Sequence, residues 1–343
     1  MKFLTGRRFA AVAALTSAML LLAACASGPS GGTGSGSTDT APEKADLTVA
    51  INPSSQFAPM YLGIESGIFK KNGLNLKIVP QTDIASIISG IASGQYDFGF
   101  ATVVHVVTAN ANGIPIRTVS TIEGQLKPGD EGTVTIASAK SGITDTAGLA
   151  GKRLATVGLS SMNTLTTWAA AQKAGIDAKS IKLVQLPFGQ MAAALANGDV
   201  DAAVMQWPFA GDAINAGGKV LFYNNGAVFP DTATTFMNTS QSFIDKNPNT
   251  VKAFAQSMIA SIDAANADPA AAKKALISGM GMSEADAKEA KWNVGGVPYV
   301  NLKSFETVQG LLSEFSTDAS TAAAIKALDV KTLVYPGALQ PSK

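Results

Sequence analysis

Residues 152–208 read KRLATVGLSSMNTLTTWAAAQKAGIDAKSIKLVQLPFGQMAAALANGDVDAAVMQWP. KRLATVGLSS is a strand that breaks at a serine pair, NTLTTWAAAQKAG a helix and SIKLVQLP a strand. GQMAAALANG follows as a helix and DVDAAVMQWP as a strand. Strand–helix alternation at this spacing predicts βαβ units and a largely parallel sheet.

The same order runs earlier in the chain. LTVAI from Leu47 is a strand broken by NPSS, and FAPMYLGIESGIFKKNG predicts one helix stopping near Gly73, after Lys70 and Lys71. LNLKIVP is a second strand. DIASIISGIASG is a helix with Ile84, Ile87, Ile88 and Ile91 on one face and Gly94 as its stop. YDFGFAT is a strand, and VVHVVTANANG a helix ending at Gly113. Ser54–Ser55 recurs as Ser160–Ser161, Gly73 as Gly175, Gly94 as Gly198 and Asp97 as Asp201. The chain therefore holds two α/β lobes, either as a repeated unit or as two lobes of one general kind. QSFIDKNPNTVKAFAQSMIASIDAANAD, PAAAKKALISGMG, SEADAKEAKWNV and SFETVQGLLSEFS make the last third helical. These helices are expected to cover a lobe already built. The chain would then cross between lobes twice, near Glu123–Thr135 and Asn224–Thr235. The expected layout is lobe one from 47–130 and 231–343, and lobe two from 131–230.

The N-terminus reads as an address. Lys2, Arg7 and Arg8 precede an apolar run from Phe9 to Ala24, shorter than the ~20 residues of a spanning helix and suited to a secretory signal at 1–24. The run closes on Leu22, Ala23, Ala24 and Cys25, which resembles the lipobox of bacterial lipoproteins and makes Cys25 the expected lipidation site. Residues 25–46 are a Gly/Ser-rich tether. A lipid-anchored body on the outer face of the cytoplasmic membrane follows.

Composition narrows the chemistry. Among 343 residues, 26 basic and 25 acidic side chains leave a net charge of +1, against the basic surplus a nucleic-acid binder needs. One Cys and one His permit neither an internal disulfide nor a Cys/His zinc cage, so no metal and no cofactor are expected.

In open parallel sheets ligands bind beyond the carboxyl ends of the strands, against helix N-termini. That edge collects Ser54, Ser55, Gln56 and Phe57; Gln81 and Thr82; Thr102 and His105 from one lobe. From the other it collects Ser160, Ser161, Met162 and Asn163; Phe188 and Gln190; Gln206 and Trp207. Each serine pair can cap its helix or face a ligand. Phe57 and Trp207 can clamp an apolar part of a ligand or belong to the core. Asp97 and Asp201 sit at strand starts, on the opposite edge, and read as turn residues outside the site.

APMYLGIESGIFKKNGLNLKIV, the pair GIASGQYDFGFA and ALANGDVDAAV, and LAGKRLATV together resemble the solute-binding proteins of ABC importers. More narrowly they resemble the nitrate/sulfonate/taurine and thiamine-precursor group, over about residues 47–245. The resemblance implies a type II periplasmic-binding-protein-like fold, with two mostly parallel sheets flanked by helices and a cleft between them. It implies a monomeric receptor that closes on a small solute and delivers it to a permease and its ATPase. In that group the segments matching Ser54–Phe57, Ser160–Asn163 and the other strand ends line the cleft. Past the signal the only arginines are Arg117 and Arg153, neither in a cleft loop, so bidentate capture of an anion is not foreseen. A sulfonate held by N–H and hydroxyl groups and a neutral heterocycle held by stacking both remain open. The rival class is an enzyme of the pyrimidine-synthase kind, which shares this fold and would centre on His105. Against it, no Gly-x-Ser-x-Gly elbow and no phosphate-binding loop occur in the folded part, and no Cys nucleophile is available to pair with His105.

Overall fold

In the computed structural model the described residues are 41–122, 133–159, 161–206, 209–229, 232–290, 296–316 and 318–339. The signal, Cys25 and most of the tether lie outside them, as do Ser160, Trp207 and residues 123–132 of the crossing expected at Glu123–Thr135, whose last three residues belong to a strand of the second sheet.

The first lobe begins with β1 (Asp46–Ile51), α1 (Ala58–Glu65), α2 (Ile68–Lys71) and β2 (Asn75–Pro80). It continues with α3 (Ile84–Ser93), β3 (Phe98–Thr102), α4 (Val103–Ala111) and β4 (Ile116–Thr121). The second lobe runs through β5 (Thr133–Ala137), β6 (Arg153–Thr156), α5 (Met162–Lys173), β7 (Lys182–Gln185) and α6 (Phe188–Asn197). After these come β8 (Ala202–Gln206), α7 (Phe209–Asn215), β9 (Lys219–Tyr223) and α8 (Asn224–Val228). β10 (Thr235–Ser240) returns to the first sheet. It is followed by α9 (Gln241–Lys246), α10 (Pro248–Ala267), α11 (Pro269–Met280), α12 (Glu284–Glu289), α13 (Lys303–Phe315) and α14 (Ala319–Lys326).

The two sheets have one topology. The first is ordered β2-β1-β3-β10-β4 and the second β7-β6-β8-β5-β9. In each, the fourth position is a strand antiparallel to both neighbours, β10 in the first and β5 in the second. The chain thus supplies each sheet with one strand from the far side of a crossing. The glycine stops match as well: Gly73 and Gly175 have φ of 75° and 77°, Gly94 and Gly198 of 78° and 85°. Only glycine adopts that left-handed conformation cheaply, which makes it a helix stop.

Two helical expectations need correction. The helix expected across residues 57–73 is two, because Gly67 takes φ 75° and restarts the chain as α2. The long helix expected from Gln241 is also two. Asn247 leaves the helical conformation and Pro248 begins α10, since proline has no N–H to continue the earlier ladder.

The main core joins Val49, Phe98 and Phe236 of the first sheet to Phe254 and Met258 of α10 and to Phe305 of α13. Phe98 stacks on Phe254 at 3.8 Å, and Phe236 on Phe305 at 5.1 Å. This core also takes in Leu165 and Ala169 of α5, with Met162 packed against it. The second sheet buries Met191, Leu195, Met205 and Ala210 on one face and Leu149, Leu154 and Val204 on the other. α5 therefore stands where the lobes meet.

Candidate functional site

At the carboxyl end of β1 the chain leaves the strand at Asn52 and reaches Ser54, whose extended backbone (φ −159°, ψ 149°) makes it an N-cap. Its Oγ accepts from the Gln56 N–H at 3.4 Å, a long bond, and a single 3-10 turn over Ser55–Phe57 leads into α1. Ser55 and Gln56 are half-buried. The Phe57 ring is fully buried, edge-on to Phe100 at 5.7 Å, and so belongs to the core; the clamp expected there is corrected. The side-chain Oδ1 of Asn52 is buried with no hydrogen-bond partner. A buried acceptor left unpaired costs about 1–3 kcal/mol, so it marks a position that a ligand or water would complete.

At the end of β2, the Gln81 amide donates to the Tyr96 hydroxyl at 2.9 Å, which fixes the side chain, while Thr82 is exposed. Asp83 caps α3, accepting from the Ala85 and Ser86 N–H groups at 3.2 and 3.0 Å and from the Ser86 hydroxyl at 2.6 Å. The Ser86 hydrogen bonds hold its carboxyl below the ordinary aspartate range. At the end of β3, Thr102 stands at the N-cap of α4 but does not cap it with its side chain. Its hydroxyl instead pairs with His105 Nδ1 at 2.8 Å. Burial pushes the His105 imidazole below its ordinary pKa, and the nearby charge of Asp83 opposes that shift.

In the second lobe Ser161 is the N-cap of α5 and accepts from the Thr164 N–H at 3.3 Å. Thr164 donates its hydroxyl to the Gly158 carbonyl at 2.8 Å and lies 3.1 Å from the Thr156 hydroxyl, so the turn is internally braced. Met162 packs toward the main core. Asn163, in the first turn of α5, is 7% exposed, and its amide nitrogen has no partner. Phe188 opens α6, half-buried, and stacks at 6.0 Å on Phe209; Gln190 and Gln206 are exposed. Asn52, Leu159, Phe209 and Tyr223 were not singled out from sequence. Asn52 could have been, as the first residue past a strand in NPSS.

Asp97 and Asp201 are more than turn residues. Asp97 accepts from Lys44 at 2.6 Å and from the Thr48 N–H at 2.8 Å; Asp201 accepts from Arg153 at 2.9 Å and from its N–H at 2.8 Å. The pairs occupy matching places at the amino edges of the sheets. Arg117 is likewise committed away from the carboxyl edge, to Gln241 and Asn110. Among the described residues no cluster of His, Cys, Asp and Glu is arranged to hold a metal ion.

These features define a class: two α/β lobes of one topology, meeting along α5, with polar turns at the carboxyl edges of both sheets. Solved structures share it. The periplasmic aliphatic sulphonate-binding protein SsuA of Escherichia coli superposes with a TM-score of 0.69 at 17% identity, over 88% of this chain and 95% of that one. The periplasmic nitrate-binding protein NrtA of Synechocystis PCC 6803 gives 0.57 at 14% identity, over 85% and 88%. The fold is the two-lobed periplasmic-binding-protein fold. The chain belongs to the NMT1/THI5-like family, whose profile matches residues 54–272. A 4-amino-5-hydroxymethyl-2-methylpyrimidine phosphate synthase of Saccharomyces cerevisiae is 30% identical over 78 residues, 22% of this chain. That alignment spans 23% of the yeast protein's length.

Proposed function

We propose that the protein is an extracytoplasmic solute-binding protein. It would close on a small organic solute, a sulfonate- or nitrate-like anion or an aromatic heterocycle such as a pyrimidine, and deliver it to an ABC permease and its ATPase. Lobe one would comprise 47–130 and 231–343, lobe two 131–230, with Cys25 lipidated and the protein monomeric. The cleft would be lined by the strand-end turns described above, with Ser160 and Trp207 completing the second lobe.

The observation that carries this reading is a pair of unfinished hydrogen bonds. Asn52, directly past β1, and Asn163, in the first turn of the helix that follows β6, each leave one buried side-chain atom unpaired, an acceptor and a donor, as Ser120 and Trp168 do outside the strand-end turns. A solute spanning the lobes would satisfy both in the closed form and at most one in the open form. That differential contact is what shifts a hinge equilibrium.

The test is Asn163→Ala. Removing a buried amide that lacks a partner should leave apo stability within about 1 kcal/mol of the parent, because no protein hydrogen bond is lost. Affinity for the solute that co-purifies with the protein, identified by native mass spectrometry, should fall at least about tenfold. Unchanged affinity would remove Asn163 from the site.

The alternative is an enzyme on the same fold, favoured by the names of the curated relatives. Incubation of the co-purifying solute with the protein separates the two. A receptor gains thermal stability without consuming the solute, and an enzyme converts it.

A further inference from the structure

The residue three positions past each parallel strand differs systematically between the lobes. Past β1, β2 and β3 it is Ser54, Asp83 and His105; past β6, β7 and β8, their topological counterparts, it is Leu159, Phe188 and Phe209. Leu159 is 50% exposed and Phe209 40%. Tyr223, which ends the remaining parallel strand of the second sheet, is 40% exposed as well. Large apolar side chains are otherwise rarely this open among the described residues, Val297 being the one further case. The first lobe does the reverse with its aromatics, burying Phe57 and Phe100 completely or nearly so.

Exposed apolar groups gathered at one edge, rather than scattered, mark a surface that something covers. Phe188 and Phe209 lie within 18° of parallel, and a Cβ placed on Gly189 between them would stand 3.9 Å from the Phe209 ring. The pair is a preformed, low-entropy plate of the kind that holds a flat ligand. The counterparts in lobe one are a carboxylate that also caps α3, a hydroxyl and an imidazole. Arg153 and Arg117 are engaged at the opposite edges.

Resting on the solute-binding reading, we propose that the lobes divide the solute between them. Lobe two takes a flat or extended apolar body on Leu159, Phe188 and Phe209. Lobe one takes an uncharged or cationic head bearing hydrogen-bond donors, beside Asp83 and His105. The site thereby selects amphipathic, non-anionic solutes over small anions. A compact anion such as methanesulfonate or nitrate would leave the apolar plate uncovered and would bring its charge toward the Asp83 carboxylate. Such like-charge placement disfavours binding at short range.

The experiment uses the full chain in detergent, with four probes followed by ligand-observed NMR and titration: benzamide, benzylamine, methanesulfonate and nitrate. Benzamide and benzylamine should bind, with saturation transfer strongest at their ring protons. Phe209→Ala should weaken both at least tenfold while Phe209→Tyr retains them, and Asp83→Asn should weaken benzylamine more than benzamide. Binding of methanesulfonate or nitrate but neither aromatic compound overturns the division and leaves the receptor reading intact. So does aromatic binding that Phe209→Ala does not change. Failure of all four probes overturns it too; native mass spectrometry of the same sample then decides the receptor reading separately, through the presence or absence of a co-purifying solute.

Discussion

His105 shows how a single side chain can be set by its surroundings. It lies on α4, its Nδ1 held by the Thr102 hydroxyl at 2.8 Å, and burial favours the neutral ring. Asp83, at the start of α3, is the charged group that opposes this. The linkage then has a definite sign. The unfolded chain takes up a proton near the ordinary pKa of ~6.5, while the folded chain does so only at lower pH. Stability should therefore be flat above that pH and decline as pH falls through the window between the two values. His105→Gln, which keeps a polar side chain that does not titrate, should flatten the decline of the melting temperature between pH 7.5 and pH 5.5. Parallel profiles for parent and variant would mean His105 titrates normally. The Thr102–His105 contact was not readable from sequence, because Thr102 looks like an ordinary helix cap and only the folded turn shows its hydroxyl diverted.

Helices and strands differed in how far their sequences disclosed them. The βαβ alternation was legible because its helices stop at or just before a glycine and its parallel strands carry apolar runs or alternation, as in YDFGFAT and NLKIVP. The antiparallel strand of each sheet was not. β10 reads TFMNTS, and its buried Asn238 and Thr239 are satisfied by Thr118, by the Gly99 and Phe236 carbonyls and by the Asp97 carbonyl. A strand buried on both faces with polar residues paired inside the protein has no alternating pattern to read. The role of α5 was hidden for a similar reason. Its first turn carries Ser161 and Asn163, Leu165 and Ala169 enter the main core, and Trp168 lies 5.0 Å from Phe315 of α13 with the two rings tilted. Gln172 adds a 2.6 Å hydrogen bond to Glu314. One helix thus joins the strand-end turn to a seam with the C-terminal helices. Phe315→Ala should cost about 1–3 kcal/mol, the value of burying a phenylalanine, less for its partial exposure. It should also alter the fluorescence of Trp168 against a Trp168→Phe control. A variant as stable as the parent, with an unchanged emission spectrum, would deny the seam any role in holding α5.

The tether's attachment bears on how the whole molecule would work at a membrane. Glu43 accepts from the N–H groups of Asn249 and Thr250 at the start of α10, at 3.0 and 2.9 Å, and Lys44 is paired with Asp97 just before β3. The chain therefore enters the folded body at the amino edge of the first sheet, whereas the strand-end turns lie at its carboxyl edge. On the proposed reading, lipid on Cys25 and solute at the carboxyl edge should be energetically independent, the anchor setting where the body resides and the edge what it binds. Cys25→Ser removes the one thiol available for acylation, so the variant should leave the membrane fraction for the soluble one. Its affinity for solute and its melting temperature should match those of the anchored protein. Retention at the membrane would mean that the apolar run from Phe9 to Ala24 itself holds the chain there. Release accompanied by altered affinity would mean that the tether reaches the binding edge after all, contrary to the entry point fixed by Glu43 and Lys44.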